Sequence, residues 1–318
     1  MKFQVALKGR DILRVADFTK KDLERVFELA DEYGVLLKKG EHSRILEGKV
    51  LMNLFFNPST RTQFGFATAM AKLGGSVVGF TGIEYTSFEK GEDFDDGIRM
   101  FDYMADVLLF RHNGEGAAQR AADIATHPVI NCGDGWRVPN CEHPTQGFLE
   151  TYAIKKFQAE LKDLNVVMMG DLWDTRSNHS TAYGLAMFGA HLIFSSPKQL
   201  AMPDFMIREM KEKYNAKISY MDPKEAMAAA DILYLIPLVY PFPKPNWWAD
   251  FEGTFRVDLD MVRKYCKSDV ILMEAGPREQ EYAKDIDGTK HSGYLEMYER
   301  YSIPVRMAIL ALVLGAIE

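Results

Sequence analysis

Short apolar runs of strand length alternate with amphipathic runs of helix length along almost the whole chain, and this alternation leaves few folds open. Residues 50–56, 76–80, 105–110 and 128–131 read as strands, separated by helical stretches that begin at 59 or 60, at 96 and at 114. After a helix from 144 to about 157 the rhythm restarts. Strands are predicted at 164–169, 191–195, 217–220, 232–235 and 270–273. Helices at 204–214, 223–230 and 258–266 alternate with them, as does one with Ala182, Leu185, Ala186 and Phe188 on its apolar face. A strand–helix–strand unit requires a crossover, and right-handed crossovers build parallel sheets covered by helices on both faces. The 318 residues exceed one ordinary domain and suggest two of about 150 each. The expected class is therefore α/β, with two doubly wound parallel-sheet domains. Ahead of the first strand, residues 19–38 read as a surface helix, with Thr19 and Asp22 forming a capping box.

The turn after the first strand carries the clearest chemical signal. In LFFNPSTRTQFGFATAMAKLGG (54–75), Asn57-Pro58 stops the strand, Ser59 or Thr60 is placed to cap the helix, and Gly74-Gly75 end it. Free amides at a helix start carry the positive end of its dipole, and here they stand beside Ser59, Thr60, Thr62 and the guanidinium of Arg61. Such a group suits an anion, above all a phosphate. Arg111 follows a second strand, and ligands of open parallel sheets are met at strand ends. His143 precedes a first-turn proline, which puts it at the mouth of a helix with Gln146 in the first turn. Taken singly, each has a plainer reading: a solvated turn arginine, a surface ion pair, a helix cap. The loop 81–95, containing Ser87 and Lys90, is expected to lack structure of its own.

Composition narrows the partners. A net charge of −7 argues against nucleic acid or an anionic membrane, either of which needs a basic face. Any anionic ligand must then be held by a local cluster. No apolar run reaches the roughly 20 residues of a membrane span. Three cysteines without metal-ligand spacing, and no secretory signal at Met1-Lys2-Phe3, point to a reducing cytoplasm. No metal is expected, and Gly170-Asp171-Leu172 lacks the GxGxxG fingerprint, so no dinucleotide cofactor is expected either.

Together these motifs resemble the aspartate and ornithine carbamoyltransferases. The resemblance rests on Phe56 to Thr62, Ala71 to Ser76, Thr86-Ser87 with Lys90-Gly91-Glu92, Arg111-His112, His143 to Gln146, Gly170 to Leu172 with Arg176 and His179-Ser180, and Pro304 to Ala308, all in family order. It covers nearly the whole chain and is closest to the aspartate branch. It implies a carbamoyl phosphate domain at 1–150, completed by a returning C-terminal helix at 292–318, and an amino-acid domain at 151–291. It also implies a homotrimer with active sites shared between subunits. By the same resemblance, Ser59, Thr60, Arg61 and Thr62 hold phosphate, and Arg111, His143 and Thr62 polarise the carbamoyl oxygen. Gln146 accepts from the carbamoyl NH₂, Ser87 and Lys90 reach a neighbour's site, and Arg176 takes a carboxylate. At a helix start His143 is expected to be neutral, and the leaving phosphate can take the amine's proton. The other reading is a non-catalytic paralogue serving as a binding or regulatory subunit.

Three departures from the family stand out, the last two of them at the second substrate. Gln63 stands where the aspartate branch usually has a second arginine, and that branch's arginine and glutamine after the strand 232–235 are missing from Ile236 to Pro243. Glu274-Ala275-Gly276-Pro277-Arg278 replaces the family's His-Pro-Leu-Pro-Arg. Glu274, Ala275 and Gly276 are therefore expected at the second-substrate site, with Glu274 adding a negative charge there, disfavouring a dianion and making aspartate a weak substrate. The plainer expectation is that Glu274 pairs with Arg278 or Arg176. Lys244 or Arg256 could replace the missing cation.

Overall fold

The computed structural model describes residues 7–238 and 255–317. Thr19 and Asp22 close the capping box reciprocally, with Asp22 N–H donating to the Thr19 hydroxyl (3.3 Å) and Thr19 N–H to the Asp22 carboxylate (2.7 Å). Helix α1 (Lys20–Lys38) follows and buries Leu23, Val26, Phe27 and Ala30 on one face.

The first sheet contains β1 (Val50–Phe55), β2 (Ser76–Thr81), β3 (Val107–Arg111) and β4 (Val129–Asn131), all parallel in the order β2-β1-β3-β4. Between them run α2 (Thr60–Lys72), α3 (Phe94–Tyr103) and α4 (Ala117–Ile124). Helix α5 (Pro144–Gln158), buried from Pro144 to Ile154, leads to the second sheet. There β5 (Asn165–Gly170), β6 (His191–Ser195), β7 (Lys217–Tyr220), β8 (Ile232–Ile236) and β9 (Ile271–Met273) lie parallel in the order β7-β6-β5-β8-β9. The helices are α6 (Arg176–Met187), α7 (Asp204–Tyr214), α8 (Pro223–Ala229) and α9 (Leu259–Tyr265). β8 is buried along its whole length, as its unbroken apolar sequence requires when helices cover both faces. The chain ends in α10 (Gly293–Glu296), a π-helical turn (Met297–Tyr301) and α11 (Ser302–Val313), which returns to pack on α1 and α2. Arg306 of α11 is buried against Phe66, and a Cβ at Gly65 would stand 2.9 Å from the Arg306 Nε, so the arginine would have to shift.

Strand order reverses between β1 and β3 in one sheet and between β5 and β8 in the other, the places where open parallel sheets leave a crevice at their strand ends. Several local expectations are corrected. Ser59 occupies the N-cap position of α2, but its side chain makes no capping bond, nor does that of Thr60, which begins the helix. Helix α3 starts at Phe94 because Asp93 caps it, and α4 starts only at Ala117 because Gly116 is left-handed (φ +71°). The loop 81–95 contains a 3-10 turn, Ser87–Lys90, anchored by Phe88 against Phe56, Phe80 and Phe101. Residues 239–254, Lys244 included, lie outside the described residues.

Candidate active site

Both crevices open into one cavity of about 500 Å³. The start of α2 contributes Ser59, Thr60, Arg61 and Thr62; the end of β3, Arg111; the start of α5, His143 and Gln146; the start of α6, Arg176. Glu274, Ala275 and Gly276 line it from the segment after β9. Ser87 and Lys90 are exposed on their turn and do not line it.

His143 is the hub. Its Nε2 lies 3.1 Å from the Thr62 hydroxyl and its Nδ1 3.2 Å from that of Thr145. Its N–H donates to Ser180 Oγ (2.9 Å), which in turn donates to buried Glu142 (3.0 Å). Burial, followed by Arg111, Arg176, Arg306 and Arg61, holds the imidazole well below its ordinary pKa, so it is neutral and can donate one hydrogen bond without carrying charge. Arg111 donates through Nη1 to the Cys132 carbonyl (2.8 Å), while its buried Nε has no partner among the described residues. Burial, followed by Arg176 and Arg61, pushes its guanidinium down to about 9. These guanidiniums repel one another, and a multiply charged anion placed among them would relieve that repulsion.

Gln146 is oriented by a buried network. Its Nε2 donates both to Glu150 Oε1 (2.8 Å) and to Tyr298 Oη (3.0 Å), leaving the amide oxygen as a free acceptor. Glu150 is held by Tyr234 (2.8 Å) and Thr181, and Tyr298 in turn donates to the Ala275 carbonyl. Arg176 is turned by the carbonyls of Gly133 (2.9 Å) and His112 (3.4 Å) and faces the Trp136 ring.

Family models for the aspartate/ornithine carbamoyltransferase carbamoyl-P binding domain and Asp/Orn binding domain match residues 10–156 and 162–313. The chain belongs to the aspartate/ornithine carbamoyltransferase family. It is 37% identical over 309 residues to the aspartate carbamoyltransferase catalytic subunit of Methanopyrus kandleri, covering 96% of this chain and 98% of that protein. It is 38% identical over 312 residues to that of Thermococcus onnurineus, covering 98% and 99%. The structure of aspartate transcarbamoylase from Trypanosoma cruzi with carbamoyl phosphate and aspartate matches with a TM-score of 0.88 at 29% identity, covering 99% of this chain and all of that one. This carbamoyltransferase is thus an enzyme that moves a carbamoyl group from carbamoyl phosphate to an amino-acid amine, and the regulatory alternative is set aside.

Two expectations about the second-substrate half are corrected. Glu274 pairs with neither proposed arginine, because Arg278 is engaged bidentately by Asp287 (2.5 and 2.6 Å) and Arg176 by backbone carbonyls. Nor does it carry a full negative charge at neutral pH: burial pushes its carboxyl up to about 8. Trp136, Tyr234, Tyr298 and Glu150 were not anticipated. Glu150 was legible as the i+4 neighbour of Gln146 on one helix. Tyr298 and Trp136 reach the cavity only through tertiary packing.

Proposed function

We propose that the chain carbamoylates the α-amine of aspartate or a close relative, in a homotrimer whose cavities are completed by Ser87 and Lys90 of a neighbouring copy. The convergence of Arg61, Arg111 and Arg176 on the neutral His143 and the hydroxyl-rich start of α2, in one cavity, carries this reading. The phosphoryl group rests on the amides of α2, Ser59, Thr60, Thr62 and the Arg61 fork. Arg111, His143 and Thr62 draw charge onto the carbonyl oxygen, and Gln146 Oε1 accepts from the carbamoyl NH₂. The amine nitrogen attacks the carbonyl carbon, the C–N bond forms as the C–O bond to phosphate breaks, and the leaving phosphate takes the amine's proton. Arg176 holds a carboxylate of the second substrate.

Ser87 and Lys90 do not line their own cavity, and exposed apolar side chains nearby in sequence, Val77 and Val78 on the edge strand β2 and the fully exposed Tyr85, support a subunit contact there. Three cysteines with no disulfide fit the cytoplasm, and among the described residues no helix is long and apolar enough to cross a membrane. Phosphate release from carbamoyl phosphate, measured with aspartate and a panel of amino acids, is the test. Amine-dependent release with a carbamoylated product supports the reading; no release, or release to water alone, overturns it.

A further inference from the structure

Glu274 is only 1% exposed yet lines the substrate cavity. Its Oε1 accepts from the Gly276 N–H at 2.6 Å, whereas its buried Oε2 has no hydrogen-bond partner among the described residues. A buried carboxyl oxygen without a donor is costly, and such groups in native structures usually find one in a bound molecule or a functional state. None of the described residues supplies it. Arg278 is committed to Asp287 and Arg176 to carbonyls. Tyr298 points its hydroxyl at the Ala275 carbonyl, and Tyr234 points its hydroxyl at Glu150. Arg61 is the cation facing Glu274; Glu150 and Glu281 oppose its ionisation. The phenols that face it, Tyr234, Tyr282, Tyr294 and Tyr298, all have raised pKa values and stay neutral.

We infer that Glu274 is a specificity-determining residue whose free oxygen takes an N–H of the second substrate's side chain, so that the enzyme selects α-amino acids ending in a carboxamide, ureido or amino group over those ending in a second carboxylate. This rests on the reading of the cavity as a carbamoyltransferase site. Arg176 meets the α-carboxylate, and Glu274 meets the side-chain end. The ionised carboxylate accepts an N–H through Oε2, whereas in the acid form Oε2 carries the proton and donates it to a carbonyl oxygen, so a carboxamide or ureido end is met in both states. A side-chain carboxylate is met only while Glu274 keeps its proton. Above about pH 8 the two carboxylates repel, so discrimination against aspartate sharpens with rising pH.

The experiment compares kcat/KM for asparagine and aspartate, with carbamoyl phosphate saturating, between pH 7 and 9, in wild type and Glu274→Gln. In wild type the ratio of asparagine to aspartate should climb with pH and exceed about tenfold by pH 9, where Glu274 is ionised, the scale of a hydrogen bond to a charged group. In Glu274→Gln the ratio should fall and lose its pH dependence. Wild type carries the test alone if the variant does not fold, because a pH-independent ratio below one overturns the inference. Carbamoylation that proceeds with an unchanged ratio in Glu274→Gln also overturns it while leaving the transferase reading intact. If no amine is carbamoylated, the transferase reading fails, and calorimetric binding of asparagine against aspartate in the presence of inorganic phosphate then decides the role of Glu274.

Discussion

Alanine at Gly276 would test whether the segment after β9 positions Arg61. Gly276 sits at φ +74°, and a Cβ there would lie 2.8 Å from Arg61 Cζ and 2.9 Å from its Nε and Nη2. An unstrained contact is about 3.5 Å, so the guanidinium has to retreat by roughly 0.6 Å. Because it is the far end of a flexible side chain, this retreat costs little stability. The left-handed backbone adds about 1–2 kcal/mol for a residue with a Cβ. That cost corresponds to a fall in Tm of roughly 2–8 °C. Catalysis is more sensitive, since a displacement of about 1 Å at a positioned group can cost about a hundredfold. The expected result is a loss of about ten- to a hundredfold in kcat/KM, read by phosphate release, with a modest shift in thermal melting. Wild-type kcat/KM in a folded Gly276→Ala chain would refute the reasoning, as would a loss explained entirely by unfolding at the assay temperature.

Four other outcomes are expected. Arg61→Lys keeps the charge but loses the fork, and should lower kcat/KM by at least about a hundredfold; a near-normal rate would remove Arg61 from the phosphate site. Glu150→Ala frees the amide of Gln146 and strips a buried acceptor from Tyr234 and Thr181, so it should raise the KM for carbamoyl phosphate about tenfold and lower the Tm; an unchanged KM would deny the network its positioning role. Glu274 holds its proton up to about 8 when folded, against an ordinary 4.5, so the folded chain binds the extra proton between these values and stability should fall as pH rises through that window; melting curves of Glu274→Gln should show a flatter decline, and identical pH profiles would contradict this. Mixing inactive Arg61→Ala and Lys90→Ala chains should regenerate part of the activity in hybrid trimers, whereas a monomer by light scattering, or no recovery after reassembly, would count against shared sites.

The part of the cavity built on the start of α2 was readable because its signals are local. A strand stop, a helix start and three hydroxyls around Arg61 fall within a few residues, and the backbone amides of a helix start point to one place whatever packs around them. His143 beside Pro144 was legible for the same reason. The missing side-chain cap at Ser59 was not: whether a hydroxyl turns toward its own helix or toward a cavity depends on what stands across from it.

Alternating strand-length and helix-length runs alone determined two parallel sheets, and a parallel sheet places its crevices at the strand ends where Arg61, Arg111 and Arg176 lie. Tertiary structure alone decided how the segment after β9 behaves. The charge on Glu274 could not be taken from its identity, because a carboxyl that ionises readily in water keeps its proton when burial removes that water and the one arginine facing it, Arg61, only partly offsets the loss. Likewise Tyr298, 152 residues from Gln146 in the chain, reaches it only because α11 folds back onto α1 and α2. Local sequence reports backbone conformation and its dipoles; solvation and long-range partners exist only once the chain has closed around them.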